Sequence, residues 1–321
     1  MTIASNLVAC AVGLCVAASA SSQGYPTRAV RVVVPFTAGS GVDVVGRMVA
    51  EKLSDFWGQP VTVENQVGAG GTVGAGAVAK APPDGYTLLI NTTAHAVNAA
   101  LYANLPYDPV KDFVAVSPLV AQPYVLVAGP SVGVSTVSDL ITLAKAKPGQ
   151  VNFTSAGTGT GTHMAAEKFR LAAGIDAVHV PNKGGPEANA DAASGRVAYW
   201  FPPITLALAP VREGKLVPLG VSGARRSGLL PNVPTIAEAG VGGFEDTIWY
   251  GVWVPAGTPQ EVVDKLSKDI ARALAAPDVR ERLTQTGAEV MSMAPAEFSR
   301  FVRSEIEVAA RLVKAAGIKP Q

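Results

Sequence analysis

The sequence predicts an α/β protein with parallel sheets, arranged as two lobes behind a cleavable leader. Three observations carry this. Short β runs alternate with helical stretches through most of the chain. Its 321 residues exceed one ordinary core and suggest two units of roughly 100–150 residues each. Hydrophobic residues make up 48%, enough to fill two cores, yet no run after the N-terminal segment reaches the roughly 20 residues of a spanning helix.

Residues 1–24 carry no charge, and the apolar run 7–18 is too short to span a bilayer. Ala18-Ser19-Ala20 fits a small-x-small cleavage signal, so residues 1–20 are expected to be a signal peptide and the mature protein periplasmic and soluble. The segment before the apolar run lacks Lys and Arg, and Leu7-Val8-Ala9-Cys10 only loosely resembles a lipid-attachment box. Both cysteines, Cys10 and Cys15, fall inside the leader. A mature chain without cysteine has no disulfide framework, thiol nucleophile or thiolate metal site.

The elements follow in order. Residues 31–35 (RVVVP) read as a strand, 42–56 as a helix with apolar Val45, Val49 and Leu53, and 61–64 as a second strand. A Gly-rich entry at 68–71 leads a helix to 80, a Pro-Pro-Asp-Gly turn follows, and 86–91 (YTLLIN) is a third strand. Strands are expected at 125–128 and 151–155, with a helix at 137–146 between them and another at 162–173. Further strands are expected up to 181, at 196–201, at 216–221 and at 250–255, then helices at 259–275, 277–287 and 295–316. Pro295 and Glu297 suit the start of the last helix and Gly317 its end.

Two segments share one layout of strand, small-residue loop and helix. At such a helix start the first backbone N–H groups are unpaired and partly positive, so they hold an anion without a charged side chain. The first loop is Phe36, Thr37, Ala38, Gly39, Ser40 and Gly41, with Asp43 placed to hold it. The second is Ser155, Ala156, Gly157, Thr158, Gly159, Thr160, Gly161 and Thr162, where hydroxyls alternate with glycines. It is neither a Walker loop nor a dinucleotide fingerprint, because no Gly-Lys-Ser/Thr follows and its glycines fall at every second position. Two such loops facing each other would grip one carboxylated ligand from both sides.

Other chemistry finds little support. Charged residues are 16% and the net charge is +1, with no basic cluster for nucleic acid. His95, His163 and His179 are not spaced for a metal, and no Gly-x-Ser-x-Gly marks a nucleophile. No cofactor, metal or catalytic residue is expected. On the strand at 196–201, Tyr199 and Phe201 should share one face and Trp200 the other; Trp249 and Tyr250 raise the same choice between core packing and a wall that stacks a ligand.

A set of motifs resembles the Bug, or tripartite tricarboxylate transporter, family of solute-binding proteins. These are Tyr25-Pro26; VVPFTAG at 33–39 with Asp43; VEN at 63–65; GAGG at 68–71; PDGYTL at 83–88; LPYD at 105–108 with KDF at 111–113; and residues 144–149. GTGTGTH at 157–163, VP at 180–181 with KG at 183–184, VPT at 233–235 with EAG at 238–240, PAGTP at 255–259 and residues 314–320 continue the pattern. The likeness runs from about Tyr25 to Gln321. It implies a two-lobed Venus-flytrap (type II periplasmic-binding-protein) fold, with two mixed sheets flanked by helices and two chain crossovers. One lobe is expected from 24–121 and 247–321, the other from 122–246. It also implies a monomer that carries a small carboxylate to membrane permease subunits. The alternatives are a protein presenting its ligand to a sensor kinase, or a carboxylic-ester hydrolase.

By match, the two loops with Asp43, and Asn91, Thr92 and Thr93, would contact the ligand, with Asn182, Phe201, Pro202 and Trp249 completing the site. The family usually has Tyr where this chain has Asn182. It often reads Val-Asp-x-x-Phe-Asp where residues 197–202 are VAYWFP, so the carboxylate that could pair a ligand ammonium is lost at Pro202. Its Gly-Ser is reversed as Ser40-Gly41. An aromatic mono- or dicarboxylate is therefore expected over an amino acid.

Overall fold

A computed structural model describes residues 24–319; the expected leader with its two cysteines lies outside the described residues. The chain runs β1 (Val30–Val34), α1 (Gly41–Trp57), β2 (Val61–Asn65), α2 (Thr72–Ala79), β3 (Thr87–Thr92), α3 (Ala94–Leu101) and β4 (Phe113–Pro123). It continues through β5 (Val125–Ala128), α4 (Val137–Ala146), β6 (Val151–Ser155), α5 (Gly161–Ala173), β7 (Ala177–Pro181), α6 (Gly185–Ala193), β8 (Tyr199–Trp200), α7 (Ile204–Arg212) and β9 (Val217–Val221). It closes with β10 (Thr247–Pro255), α8 (Gln260–Ala275), α9 (Pro277–Thr286), β11 (Glu289–Val290) and α10 (Pro295–Ala315).

These elements build two mixed sheets, ordered β11-β4-β10-β3-β1-β2 and β7-β6-β8-β5-β9. In the first, β2, β1 and β3 are parallel and β10 pairs antiparallel with both β3 and β4. In the second, β7, β6 and β8 are parallel, and β5 runs antiparallel to β8 and β9. Each sheet is covered on both faces, which explains the near-continuous apolar runs in its strands. On the first sheet, Val45, Val49 and Leu53 of α1 pack with Val263, Leu266 and Ile270 of α8 on one face. Trp249, Trp253 and Phe298 cluster with Val33 and Leu89 on the other. In the second sheet, Tyr199 and Phe201 join Phe153 and Phe169 on the side of α4 and α5, while Trp200 joins Ala188, Ala207 and Leu208 of α6 and α7.

Local chemistry sets several boundaries. Thr136 and Asp139 form a capping box at the start of α4, with Asp139 N–H donating to Thr136 Oγ1 at 3.0 Å and Thr136 N–H donating to Asp139 Oδ2 at 2.9 Å. Gly58, Gly174 and Gly287 end α1, α5 and α9 in the left-handed region. The strand expected over 196–201 shrinks to Tyr199–Trp200, because the left-handed turn at Gly195 precedes it and Pro202-Pro203 follow. Helix α7 survives Pro210 in its interior. Pro210 cannot donate to the carbonyl of Leu206, four residues back, and Asn189 Nδ2 of α6 donates there instead at 3.1 Å.

The chain crosses between sheets twice. Tyr124 alone separates β4 from β5, and residues 222–246 lead from β9 back to β10. Ser222 joins the crossings: its N–H donates to the Tyr124 carbonyl at 2.9 Å, and its hydroxyl accepts from Tyr124 N–H at 2.8 Å and donates to the Asp246 carbonyl at 2.5 Å. Two adjacent, hydrogen-bonded crossings between separately covered sheets form the hinge of a two-lobed fold.

Candidate functional site

Strand β1 ends in the loop 35–40, and that loop starts α1. Ser40 is the N-cap with no side-chain cap bond, so the amides of Gly41 and Val42 keep free donors. The loop is fixed from behind by Asp43. Its carboxylate accepts from Gly39 N–H at 2.9 Å, Arg47 Nε at 3.0 Å and Asn65 Nδ2 at 2.8 Å, and Asn65 Nδ2 also donates to the Phe36 carbonyl at 2.9 Å. Burial alone would push the Asp43 carboxyl up. The hydrogen bonds from Arg47, Asn65 and Gly39, with the Arg47 charge, outweigh burial and hold it below the ordinary carboxylate value.

Strand β6 ends in the second loop, which starts α5. Its hydroxyls are largely spent on the loop itself. Thr160 Oγ1 donates to the Gly157 carbonyl at 2.7 Å and caps His163 N–H at 3.3 Å, and Thr162 Oγ1 accepts from Ala156 N–H at 3.0 Å. Ser155 is fully buried and bonds His179 Nε2 at 2.7 Å. Burial pushes His163 down to about 4; burial and neighbouring His163 push His179 down to about 3, so the stacked pair is neutral near pH 7. The Ser155–His179 pair shapes the loop; neither residue lines the cleft. What the loop leaves open at its front is the backbone, the amides of Gly161 and Thr162.

Both helix starts line one cavity of about 40 Å3 between the lobes. It is walled by Phe36, Ser40, Gly41, Val42 and Thr92 from the first lobe, with Ile248 and Tyr250 of β10. From the second lobe come Ala156, Thr160, Gly161, Thr162, Gly185, Trp200, Pro203 and Leu206. No charged side chain of the described residues lines it. Tyr250 OH accepts from Gln122 Nε2 at 2.7 Å, so its own proton stays uncommitted, and burial pushes the phenol far above its ordinary value. The Ser40 hydroxyl and the Trp200 indole N–H, both on residues of the wall, and the Thr205 hydroxyl beside Gly41 are buried without a protein partner. That many unpaired polar atoms around one cavity is the mark of a site that takes a polar guest.

Of the residues expected from sequence, Phe36, Ser40, Thr92, Ala156, Thr160 and Thr162 line this cavity. Ala38 and Gly39 are exposed at the rim. Asn91 is buried, its Oδ1 accepting from Thr92 N–H at 2.8 Å. Thr37 and Thr93 sit where the lobes touch: a Cβ at Gly184 would meet Thr37 Oγ1, and one at Gly161 would meet Thr93 Oγ1. Gly159 and Thr158 also belong to the lobe contact, beside Asn98 and Gly70 respectively, while Gly157 turns behind it with φ 129°.

Five expectations are corrected. Asp43 turns both oxygens to the loop and Arg47. Asn182 donates to Thr154 Oγ1 at 3.0 Å and Asp191 Oδ2 at 2.8 Å, away from the cavity. Pro202 is buried in the hinge, its carbonyl accepting from Val125 N–H at 2.9 Å, and Pro203 lines the cleft instead. Phe201 packs on Phe169 and Phe244, and Trp249 packs on Phe298 and Phe301 with its Nε1–H on Glu305 at 2.8 Å. In both aromatic pairs the neighbour, Trp200 or Tyr250, takes the cleft face.

The sequence model of the tripartite tricarboxylate transporter family receptor matches residues 45–318. The chain belongs to this family. Receptors of the family are periplasmic solute-binding proteins, a class that is not enzymatic. This receptor is 35% identical to BugT of Bordetella pertussis over 306 residues, covering 95% of this chain and 94% of BugT. Its fold matches that of R. palustris Rpa4515 with adipate at a TM-score of 0.89 and 36% identity, covering 92% of this chain and all of that one. It matches MatC of Rhodopseudomonas palustris with bound malate at a TM-score of 0.85 and 34% identity, covering 90% of this chain and all of that one. Among the receptor's described residues no helix is long and apolar enough to cross a membrane.

Proposed function

We propose that this receptor is exported by cleavage of its leader, captures a small carboxylate between its lobes and hands it to the permease subunits of a tripartite transporter. The observation that carries the reading is that the first residues of α1 and α5, whose helix-start amides have no intrahelical acceptor, come from opposite lobes to line one cavity that has no charged side chain among the described residues. Uncharged peptide donors bind a carboxylate well when the lobes exclude water around it. The solved relatives with adipate and malate support the same class of ligand.

Ligand shape is limited by the walls. Phe36, Trp200, Tyr250, Leu206 and Ile248 favour an apolar body, aromatic or aliphatic, between polar ends. With no carboxylate on the wall, an ammonium group would be buried unpaired, which disfavours amino acids. A cavity of about 40 Å3 has room for about three waters, so a dicarboxylate enters with the lobes farther apart and is then enclosed.

The test is calorimetry and thermal unfolding of mature protein against aliphatic and aromatic mono-, di- and tricarboxylates, with aspartate and glutamate beside them. A ligand at about 100 times its Kd should stabilise the protein by about 2.7 kcal/mol, a rise of roughly 5 °C or more in Tm. A panel in which no carboxylate raises the midpoint, or in which only the amino acids do, ends the proposal.

A further inference from the structure

The Tyr250 hydroxyl is set by a residue outside the cavity. Tyr250 pairs with Val120, and Ile248 with Gln122, across β10 and β4, so Gln122 and Tyr250 are diagonal neighbours on one face of the sheet. Gln122 is the next-to-last residue of β4, is 1% exposed, and bonds both lobes. Its Oε1 accepts from Thr205 N–H, at the start of α7, at 3.2 Å, and its Nε2 donates to Tyr250 OH at 2.7 Å. The direction of both bonds is forced. A backbone N–H can only donate, so it holds the amide oxygen on the Thr205 side and turns the amide nitrogen to Tyr250. Tyr250 must accept there, and its single proton points elsewhere. No group among the described residues takes that proton: the neighbouring Ser40 and Thr205 hydroxyls are themselves without a partner. Gly41 leaves the space between them open, since a Cβ there would stand 2.6 Å from Tyr250 OH and 2.8 Å from Thr205 Oγ1. Gly41 and Tyr250 both line the cavity, so the uncommitted proton lies where the acceptor of a guest arrives.

Building on the carboxylate reading above, we infer that Gln122 is a positioning residue of the site: from outside the cavity it makes Tyr250 a donor to the guest's carboxylate and never an acceptor. A phenol left to itself turns either its proton or a lone pair to a guest, and only the proton suits an anion. Gln122 makes that choice before binding, so the donor is preorganised. Glutamate at 122 has nearly the same shape and the opposite effect. An ionised carboxylate only accepts: it keeps Thr205 N–H, takes the Tyr250 proton and leaves a lone pair toward the guest. Its protonated form carries one O–H and one carbonyl, the pattern of the amide, so acid should undo the change. Burial raises the pKa of such a carboxyl, which brings the change into an accessible range. The ionisable side chains around Gln122 are Tyr250 in the cleft and Arg225, Arg226, Glu245, Arg280 and Glu289 of the surface groove that Gln122 also borders. Arg225 is paired with Glu289 and Arg226 with Glu238.

The experiment measures Kd by calorimetry for adipate, malate, benzoate and terephthalate on wild type, Gln122→Glu, Tyr250→Phe and the double variant, at about pH 8 and about pH 5. For the probe that wild type binds best at the higher pH, Tyr250→Phe should weaken binding about tenfold and Gln122→Glu about 100-fold. With Phe at 250 no proton remains to misdirect, so there the glutamate should cost about tenfold less than with Tyr. At about pH 5 the gap between wild type and Gln122→Glu should close to within about threefold. Charge repulsion or a merely structural role would cost the same with Tyr or Phe at 250. That equality overturns the inference, and so does a gap that stays open in acid. Should Gln122→Glu fail to fold, Tyr250→Phe decides, and a loss below about threefold overturns the inference. If wild type binds none of the four probes, the capture reading falls and takes this inference with it, an outcome that wild type alone distinguishes from the others.

Discussion

Gly184→Ala should weaken carboxylate binding about 30-fold while leaving the unliganded protein's unfolding midpoint within about 1 °C. Gly184 lies at φ −177° and ψ 175°, extended backbone that alanine adopts freely, and within the second lobe the new methyl would meet only the flexible end of Glu187, whose Oε2 stands 2.9 Å away and can swing aside into solvent. Its new methyl would instead overlap Thr37 Oγ1 and stand 2.8 Å from Thr37 Cγ2 on the opposite lobe. Such overpacking costs about 1–3 kcal/mol and is felt only when the lobes are together. The open form escapes it by staying open. Apparent affinity then falls with the closed fraction, and about 2 kcal/mol is about 30-fold. Thr37→Ala removes both atoms of the opposite lobe that the methyl meets, leaving only the movable Glu187 carboxylate, so in that background Gly184→Ala should cost at most about threefold. Titration calorimetry on the four proteins of this cycle checks the expectation. An equal loss in both backgrounds would show that the overlap is not the cause.

The same lobe contact explains which parts of the molecule were legible in the sequence. Strand-loop-helix units were clear because each is local: β1 with α1 and β6 with α5 announce themselves by an apolar run, small residues and 3.6-periodicity. What the sequence hid was decided at long range. β4 runs from Phe113 to Pro123 through two prolines and breaks in its register with β10, and it becomes a strand by lying between β10 and β11. Helix α7 was not among the expected elements; Pro210 sits in its interior, and Asn189 of another helix takes the carbonyl that Pro210 leaves free. In each case a distant partner overrides a poor local propensity.

The site shows the same division. Alternation placed Tyr199 and Phe201 on one face and Trp200 on the other, as the structure has them, but periodicity does not say which face meets the cleft. The choice of Phe201 and Trp249 over Trp200 and Tyr250 was a parity error of one residue. A signal did exist. In a pair of neighbouring aromatics, the one carrying a polar atom that the core cannot satisfy belongs at a wet or ligand-filled wall, and Trp200 has such an N–H while Phe201 has none. Trp249 defeats that reasoning alone, because Glu305 on α10, 56 residues away, accepts its indole proton. Hydroxyls in the second loop were likewise read as ligand donors, whereas most of them shape the loop whose amides are the donors.

Asp43→Ala should lower the stability of the unliganded protein by about 3 kcal/mol, roughly 5–10 °C in Tm, and also weaken carboxylate binding at least tenfold. The pair with Arg47 would contribute little by itself, since the Arg47 side chain is 49% exposed. The cost comes from the other donors: Gly39 N–H and Asn65 Nδ2 lose a charged acceptor, and the Asn65 amide no longer ties the Phe36 carbonyl to α1. The loop carrying Gly39 in its left-handed conformation, φ 77°, is then free to leave the position from which it presents the α1 amides. The pH dependence has a definite sign. The folded Asp43 carboxyl titrates below its unfolded value, so the folded protein binds fewer protons and the contribution is complete above the ordinary carboxylate range. It is lost as pH falls through the depressed folded value. The stability gap between wild type and Asp43→Ala, read from urea unfolding, should therefore be constant from pH 7 to 5 and shrink below about pH 4. A gap that widens on acidification would mean that the carboxylate is not held in its charged form by the loop.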